Sequence, residues 1–146
     1  MTPEPHVTDI ARTIQLAVAP VFLLSALGTI LGVLSTRLGR IVDRARVLAE
    51  RMAGLPEAAQ GPPREELELL AHRRRLVNLA ITSGTVAALL VCLLIASAFV
   101  GFMVRADFSI AVAALFVAAM AAFVAALLLF LREVLLAVGG LPIAPR

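Results

Sequence analysis

Hydrophobic and polar positions divide this chain into three long apolar runs and two kinds of connection. The first run, Leu16 to Thr36, reads LAVAPVFLLSALGTILGVLST and carries no charge. The second spans Leu76 to Val104 and the third Phe108 to Leu131. Each is long enough to cross about 30 Å of hydrocarbon as a helix. Only Arg105, Ala106 and Asp107 separate the last two, which leaves room for nothing but a tight helical turn.

The segment 37–75 is patterned differently. Leu38, Ile41, Ala45, Leu48 and Met52 follow one another at spacings of three and four, a heptad stripe that carries the first helix about four turns beyond the apolar run. Gly54-Leu55-Pro56 stops it, and residues 54–63, GLPEAAQGPP, form a turn-rich loop. A new helix is expected near Pro63-Arg64, with Glu65, Glu66 and Glu68 in its first turn, where the helix dipole favours acids. Leu67 and Leu70 give it an apolar face, and it runs into the second span. The expected fold class is therefore an all-α integral membrane protein: three transmembrane helices, with a cytoplasmic helical hairpin extending spans 1 and 2.

The N-terminal residues 1–15 place Ile10 and Ile14 on one helical face, continued by Ala17 and Val18. Pro20 cannot donate to the carbonyl of Leu16. Either a short interfacial helix precedes the span or one helix bends at Pro20, and the former is the favoured reading. The run is not a cleaved secretory signal. Glu4, Asp9 and Arg12 precede it, and the arginine cluster follows it, which reverses the usual order. Residues 132–146 form a tail that ends in GGLPIAPR and frays.

Composition agrees with the pattern. Sixty-one per cent of the 146 residues are hydrophobic and the mean hydropathy is +0.99, more apolar surface than a soluble core of this size can hide. The basic residues are all arginines, 13 in number, against 10 acids. Arginine, alanine, leucine and glycine abundance without lysine is the signature of a GC-rich genome. Nine arginines lie in 37–75 (Arg37, Arg40, Arg44, Arg46, Arg51, Arg64, Arg73, Arg74 and Arg75), one in the N-terminal tail and one in the 105–107 turn. Positive charge stays on the cytoplasmic side. The N-terminus is therefore expected outside, 37–75 inside, the turn outside, and the C-terminus inside, with Arg132 and Glu133 marking the cytoplasmic end of the third helix.

The candidate chemistry is sparse. Gly28-Thr29-Ile30-Leu31-Gly32 is a G-x-x-x-G, and Ala111, Ala114, Ala118, Ala121 and Ala125 form a second small-residue stripe. Such faces let helices approach closely, either within one protomer or between copies. Arg37, Arg40, Arg44 and Arg51 fall on one stripe of the extended helix, and Arg37 and Arg40 lie beside the membrane surface. They are a solvated face paired with the hairpin acids, a contact for anionic headgroups, or the mouth of a ring of copies. Asp43 neutralises its arginine neighbours. The hydroxyls of Ser25 and Thr29, about one turn apart, are structural or line the path of such a ring. No ionisable residue lies near the centre of a span, where coupled transporters normally keep one. Cys92 is alone, and His6 and His72 fall on opposite sides. The chain has no nucleophile–base set, no phosphate loop and no metal-ligand spacing. No cofactor, no metal and no nucleic-acid partner are expected, because the arginines of 37–75 are interleaved with six acids at a membrane face. Enzyme activity has no support beyond Asp43, His72 and Asn78 at the span ends.

Three segments carry a resemblance: QLAVAPVFLLSALGTILGVLSTRLGRIVDRARVL (15–48), RRRLVNLAI (73–81) and FLREVLLA (130–137). Together they resemble the bacterial membrane family called domain of unknown function 2721, from about residue 10 to 138. The resemblance implies a three-helix protein of the bacterial inner membrane, with RLGRIVDRAR as its signature, and implies no activity or substrate. The tip loop 54–63 is expected to be particular to this chain. The expected role is a homo-oligomeric structural or interaction module that touches membrane lipids and presents the hairpin to a protein partner. The alternative is a homo-oligomeric channel with an arginine-rich cytoplasmic mouth.

Overall fold

A computed structural model describes residues 5–104 and 107–139; the two tails and Arg105-Ala106 of the turn lie outside the described residues. Three helices account for nearly all of them: α1 (Pro5–Ala53), α2 (Gly61–Val104) and α3 (Ser109–Gly139), with one 3-10 turn, Glu57–Ala59, between the first two. All three are long and apolar enough to cross a membrane. At 49 and 44 residues, α1 and α2 are about 73 and 66 Å long, roughly twice the hydrocarbon thickness. α3, at 31 residues, is about 46 Å long.

α2 is the central helix and packs along both neighbours. The packing keeps a strict seven-residue register. On α1 the buried residues are Pro20, Leu27, Leu34, Ile41 and Leu48. On α2 two seams run together, one of Leu70, Val77, Gly84 and Val91, the other of Ala80, Ala87, Leu94 and Gly101. On α3 the seam is Ala119, Ala126 and Glu133. A 3.5-residue repeat keeps one face of each helix against its partner, as in a coiled coil. One cluster, around Leu34, Ile41, Leu48, Leu70 and Val77, extends past the apolar runs and draws in Leu38, Ala45 and Leu67. The other, around Leu27, Ala87, Val91 and Ala119, fills the opposite half.

Away from the seams, the apolar runs turn large hydrophobic side chains outward. Phe22, Met103 and Ile110 are 73%, 80% and 85% exposed, tolerable in lipid and costly in water.

Two features of α1 and α2 depart from expectation. The expected break ahead of Pro20 is absent: α1 passes through Pro20 without interruption. The unbonded Leu16 carbonyl costs one hydrogen bond, which transmembrane helices tolerate. The side chains of Ile10, Ile14 and Ala17 lie outside the described set. α2 begins two residues earlier than Pro63, because Pro62 and Pro63 fit a first turn that needs no donors and Arg64 N–H makes the first helical bond, to Gln60 O at 3.1 Å. Glu65, Glu66 and Glu68 consequently lie past the first turn, which holds no acid. The loop closes on itself: Gln60 Nε2 donates to Leu55 O at 2.9 Å and reaches Met52 O at 3.5 Å. At the other end Ser109 N–H donates to Asp107 Oδ1 at 2.9 Å, and Val112 N–H begins the α3 ladder on Phe108 O. The Ser109 hydroxyl and amide hold the Asp107 carboxyl below its usual range.

Candidate functional site

Glu133 is the one charged residue among the described ones that is fully buried, and it joins all three helices. Its Oε2 accepts from Arg37 Nη1 of α1 at 2.7 Å, and its Oε1 accepts from Arg73 Nη2 of α2, also at 2.7 Å. The Arg37 guanidinium also lies 5.2 Å above the ring centre of Phe130, one turn back on α3. The register explains the position. Glu133 stands seven residues after Ala126 on the α3 seam, so it points at α2 by the same periodicity that buries the alanines. A buried carboxylate is stable only when both oxygens are satisfied by charge-assisted bonds, and here they are.

The two arginines are less buried than the acid. Their side chains keep 37% (Arg37) and 23% (Arg73) of their exposure, and they form one wall of an open cleft of about 310 Å³. Arg40, Arg44, Ile41 and Leu70 line the rest. Arg44 is engaged across the helix pair, its Nε donating to Glu66 Oε1 at 2.9 Å. Arg40 is exposed and makes no ion pair among the described residues. Arg73 Nε is buried and, among the described residues, has no hydrogen-bond partner. The cleft lies where the uncharged run of α1 ends at Thr36 and that of α2 begins at Leu76.

The sequence places Arg37, Arg40 and Arg44 together, and so does the cleft. It does not reveal Glu133, which it marks only as the end of a span; α3 instead continues as a helix to Gly139. Nor does it single out Arg73 from Arg74 and Arg75. Of the acids expected opposite the α1 arginines, Glu66 alone makes an ion pair among the described residues.

The small-residue faces point away from the chain's own core. Gly28 and Gly32 are exposed, and a Cβ added at either would meet nothing within 4 Å. Ala111, Ala114 and Ala118 are exposed as well. Packing within the protomer therefore does not use them. A glycine that does serve close packing is Gly84: its added Cβ would stand 3.0 Å from Leu31 Cδ2 and 3.9 Å from Ala126 Cβ, at the meeting point of the three helices. Ser25 and Thr29 donate their hydroxyls to the carbonyls of Val21 and Ser25 on their own helix. His72 and Asn78 line separate shallow clefts, and no group of three metal-ligating side chains converges among the described residues. An apolar groove of about 510 Å³, lined by Pro20, Leu94, Val112 and Phe116 among others, opens at the opposite end of the bundle.

No curated protein and no solved structure matches this chain. The family described as protein of unknown function DUF2721 matches residues 17–143, a stretch that contains all three helix seams, the clasp and the cleft, and the chain belongs to that family.

Proposed function

We propose that the protein is a non-enzymatic, homo-oligomeric membrane module. It associates sideways through the outward face of α1 and presents the α1–α2 hairpin, on the cytoplasmic side of a bacterial inner membrane, to lipid or protein partners. The observation that carries this reading is the face of α1 opposite its buried seam. Ser25, Gly28, Thr29, Gly32 and Thr36 all stand there exposed, and their hydroxyls bond back onto α1. A face of small side chains with satisfied hydroxyls gains little from lipid and much from a second helix that can approach closely. The Arg37–Glu133–Arg73 clasp supports the projecting role, because it ties the three helices together at the base of the paired ends of α1 and α2.

Native mass spectrometry from nanodiscs tests it. The expected result is a multimer that Gly32→Leu reduces to a smaller species and that Ala96→Leu, on an exposed position of α2, leaves intact. A wild-type monomer overturns the proposal.

A second reading, a ring-shaped channel, draws on the same face. Arg40 lies eleven residues from Thr29, three helical turns along the same stripe, so a ring with this face inward lines its path with hydroxyls and its mouth with Arg40. Arg37 drops out of that mouth because Glu133 holds it. Five or more copies, with ion preference reversed by Arg40→Glu in bilayer recordings, favours the channel; a dimer rules it out.

A further inference from the structure

We infer that the cleft above the Arg37–Glu133–Arg73 clasp is a binding site for a doubly charged phosphate group, borne by an anionic lipid headgroup or taken up as free phosphate. This holds whether or not copies associate through α1.

Charge comes first. Four guanidiniums, those of Arg37, Arg40, Arg44 and Arg73, line the cleft. Two carboxylates answer them: Glu133, shared by Arg37 and Arg73, and Glu66 on Arg44. Two of the four positive charges lack a bonded carboxylate among the described residues, where Asp43 makes no ion pair with its arginine neighbours. Like charges so gathered repel one another, and a dianion relieves the repulsion.

Donor geometry comes next. Arg37 and Arg73 each commit one terminal nitrogen to Glu133, at 2.7 Å, and donate nothing else from their forks among the described residues. The Arg73 Nε is buried without an acceptor among the described residues. Orphaned buried N–H groups are rare in native folds, and this one belongs to a side chain that lines the cleft. Glu133 acts here as a positioning residue. Fully buried and doubly bonded, it anchors one terminal nitrogen of each guanidinium before any ligand arrives. Planar forks held in place suit the tetrahedral oxygens of a phosphate, and arginine recognises phosphate better than a point charge does.

Depth favours a lipid as the source of the phosphate. The cleft lies at the boundary between the uncharged runs and the polar hairpin, the level of the headgroups if α1 and α2 span the bilayer by those runs. Basic pockets between helices at this level are where multiply charged lipid headgroups bind. A phosphomonoester lipid presents two charges on one phosphate and matches the surplus of the cleft.

The test uses the full chain in phosphatidylcholine nanodiscs doped with phosphatidic acid, with retained lipid counted by native mass spectrometry. Wild type is expected to retain phosphatidic acid over phosphatidylcholine by about tenfold or more, and Arg40→Gln to remove most of that preference. Arg40 makes no ion pair among the described residues, so this variant keeps the clasp, and an unchanged far-UV circular dichroism spectrum checks the fold. Arg132→Gln, an exposed arginine outside the cleft, is expected to behave as wild type. Displacement of phosphatidic acid by millimolar inorganic phosphate also supports the site and assigns it to free phosphate as well as lipid. Equal retention by wild type and Arg40→Gln, or equal losses in Arg40→Gln and Arg132→Gln, overturns the proposal, since the attraction would then be absent or spread over every surface arginine.

Discussion

Leu31 and Gly84 meet where α1 crosses α2, the Leu31 Cδ2 methyl standing 3.0 Å from the place a Gly84 Cβ would occupy. The methyl is the free end of a flexible side chain, so alanine at 84 is accommodated by a small shift, and the cost is below about 1.5 kcal/mol. Leucine at 84 has no such outlet, because Ala126 of α3 closes the other side at 3.9 Å. Gly84→Leu is expected to destabilise the bundle by about 3 kcal/mol, at the upper end for an overpacked core. Denaturant unfolding in detergent, followed by circular dichroism, measures both. A Gly84→Leu variant as stable as wild type would mean that the helices do not meet at this point.

The buried acid gives a second prediction. Glu133→Ala leaves two guanidiniums facing each other without a counterion. The expected loss is about 2–4 kcal/mol, below the limit for fully buried pairs because both arginines keep some access to water. Glu133→Gln keeps the shape and loses the charge, and should fall between. In a double-mutant cycle, Arg73→Gln added to Glu133→Gln should cost much less than the two losses combined. Strict additivity would count against a shared clasp.

By contrast, the Arg44–Glu66 pair should contribute little. Its side chains are 51% and 40% exposed, and water screens the 2.8 Å contact. Glu66→Gln is expected to change stability by less than about 1 kcal/mol, and added salt should shrink even that. The same unfolding assay, run at low and high ionic strength, decides it.

The start of α3 is expected to respond to acid. The Ser109 hydroxyl and amide favour the ionised form of Asp107 and depress its pKa from 3.8. A depressed carboxylate supports the folded state above its unfolded pKa, and that support is lost as pH falls through the lower, folded value. In an NMR titration the Ser109 amide shift should therefore move with a midpoint below 3.8. Asp107→Asn should abolish the movement. A midpoint at or above 3.8 would falsify the assignment.

The three helices follow from residue pattern, and the reason is period. Charge-free runs of spanning length admit few structures other than helices, and the stripe from Leu38 to Met52 continues the helical repeat into the polar segment. Ile41 and Leu48 are buried because that repeat holds. The site is harder to find. Nothing local distinguishes Glu133 from an acid that merely ends a span; its meaning depends on Arg37 and Arg73, respectively 96 and 60 residues away. A register count could have found it, since Ala119, Ala126 and Glu133 are evenly spaced. Gly84 is one glycine without a companion motif. Gly28 and Gly32 have the motif but face outward, because a small-residue pair indicates that a close contact is feasible and not which helix supplies it.

The Arg37–Glu133–Arg73 clasp can close only after all three helices have been made. A chain made from its N-terminus presents Arg37 and Arg73 first, and the carboxylate that joins them arrives only with α3. Until α3 docks, Glu133 is an unpaired acid at the end of an apolar segment, costly to hold in lipid. Docking α3 against α2 brings it within reach of both guanidiniums and removes that cost. The clasp is therefore complete only when α3 is docked against a paired α1 and α2.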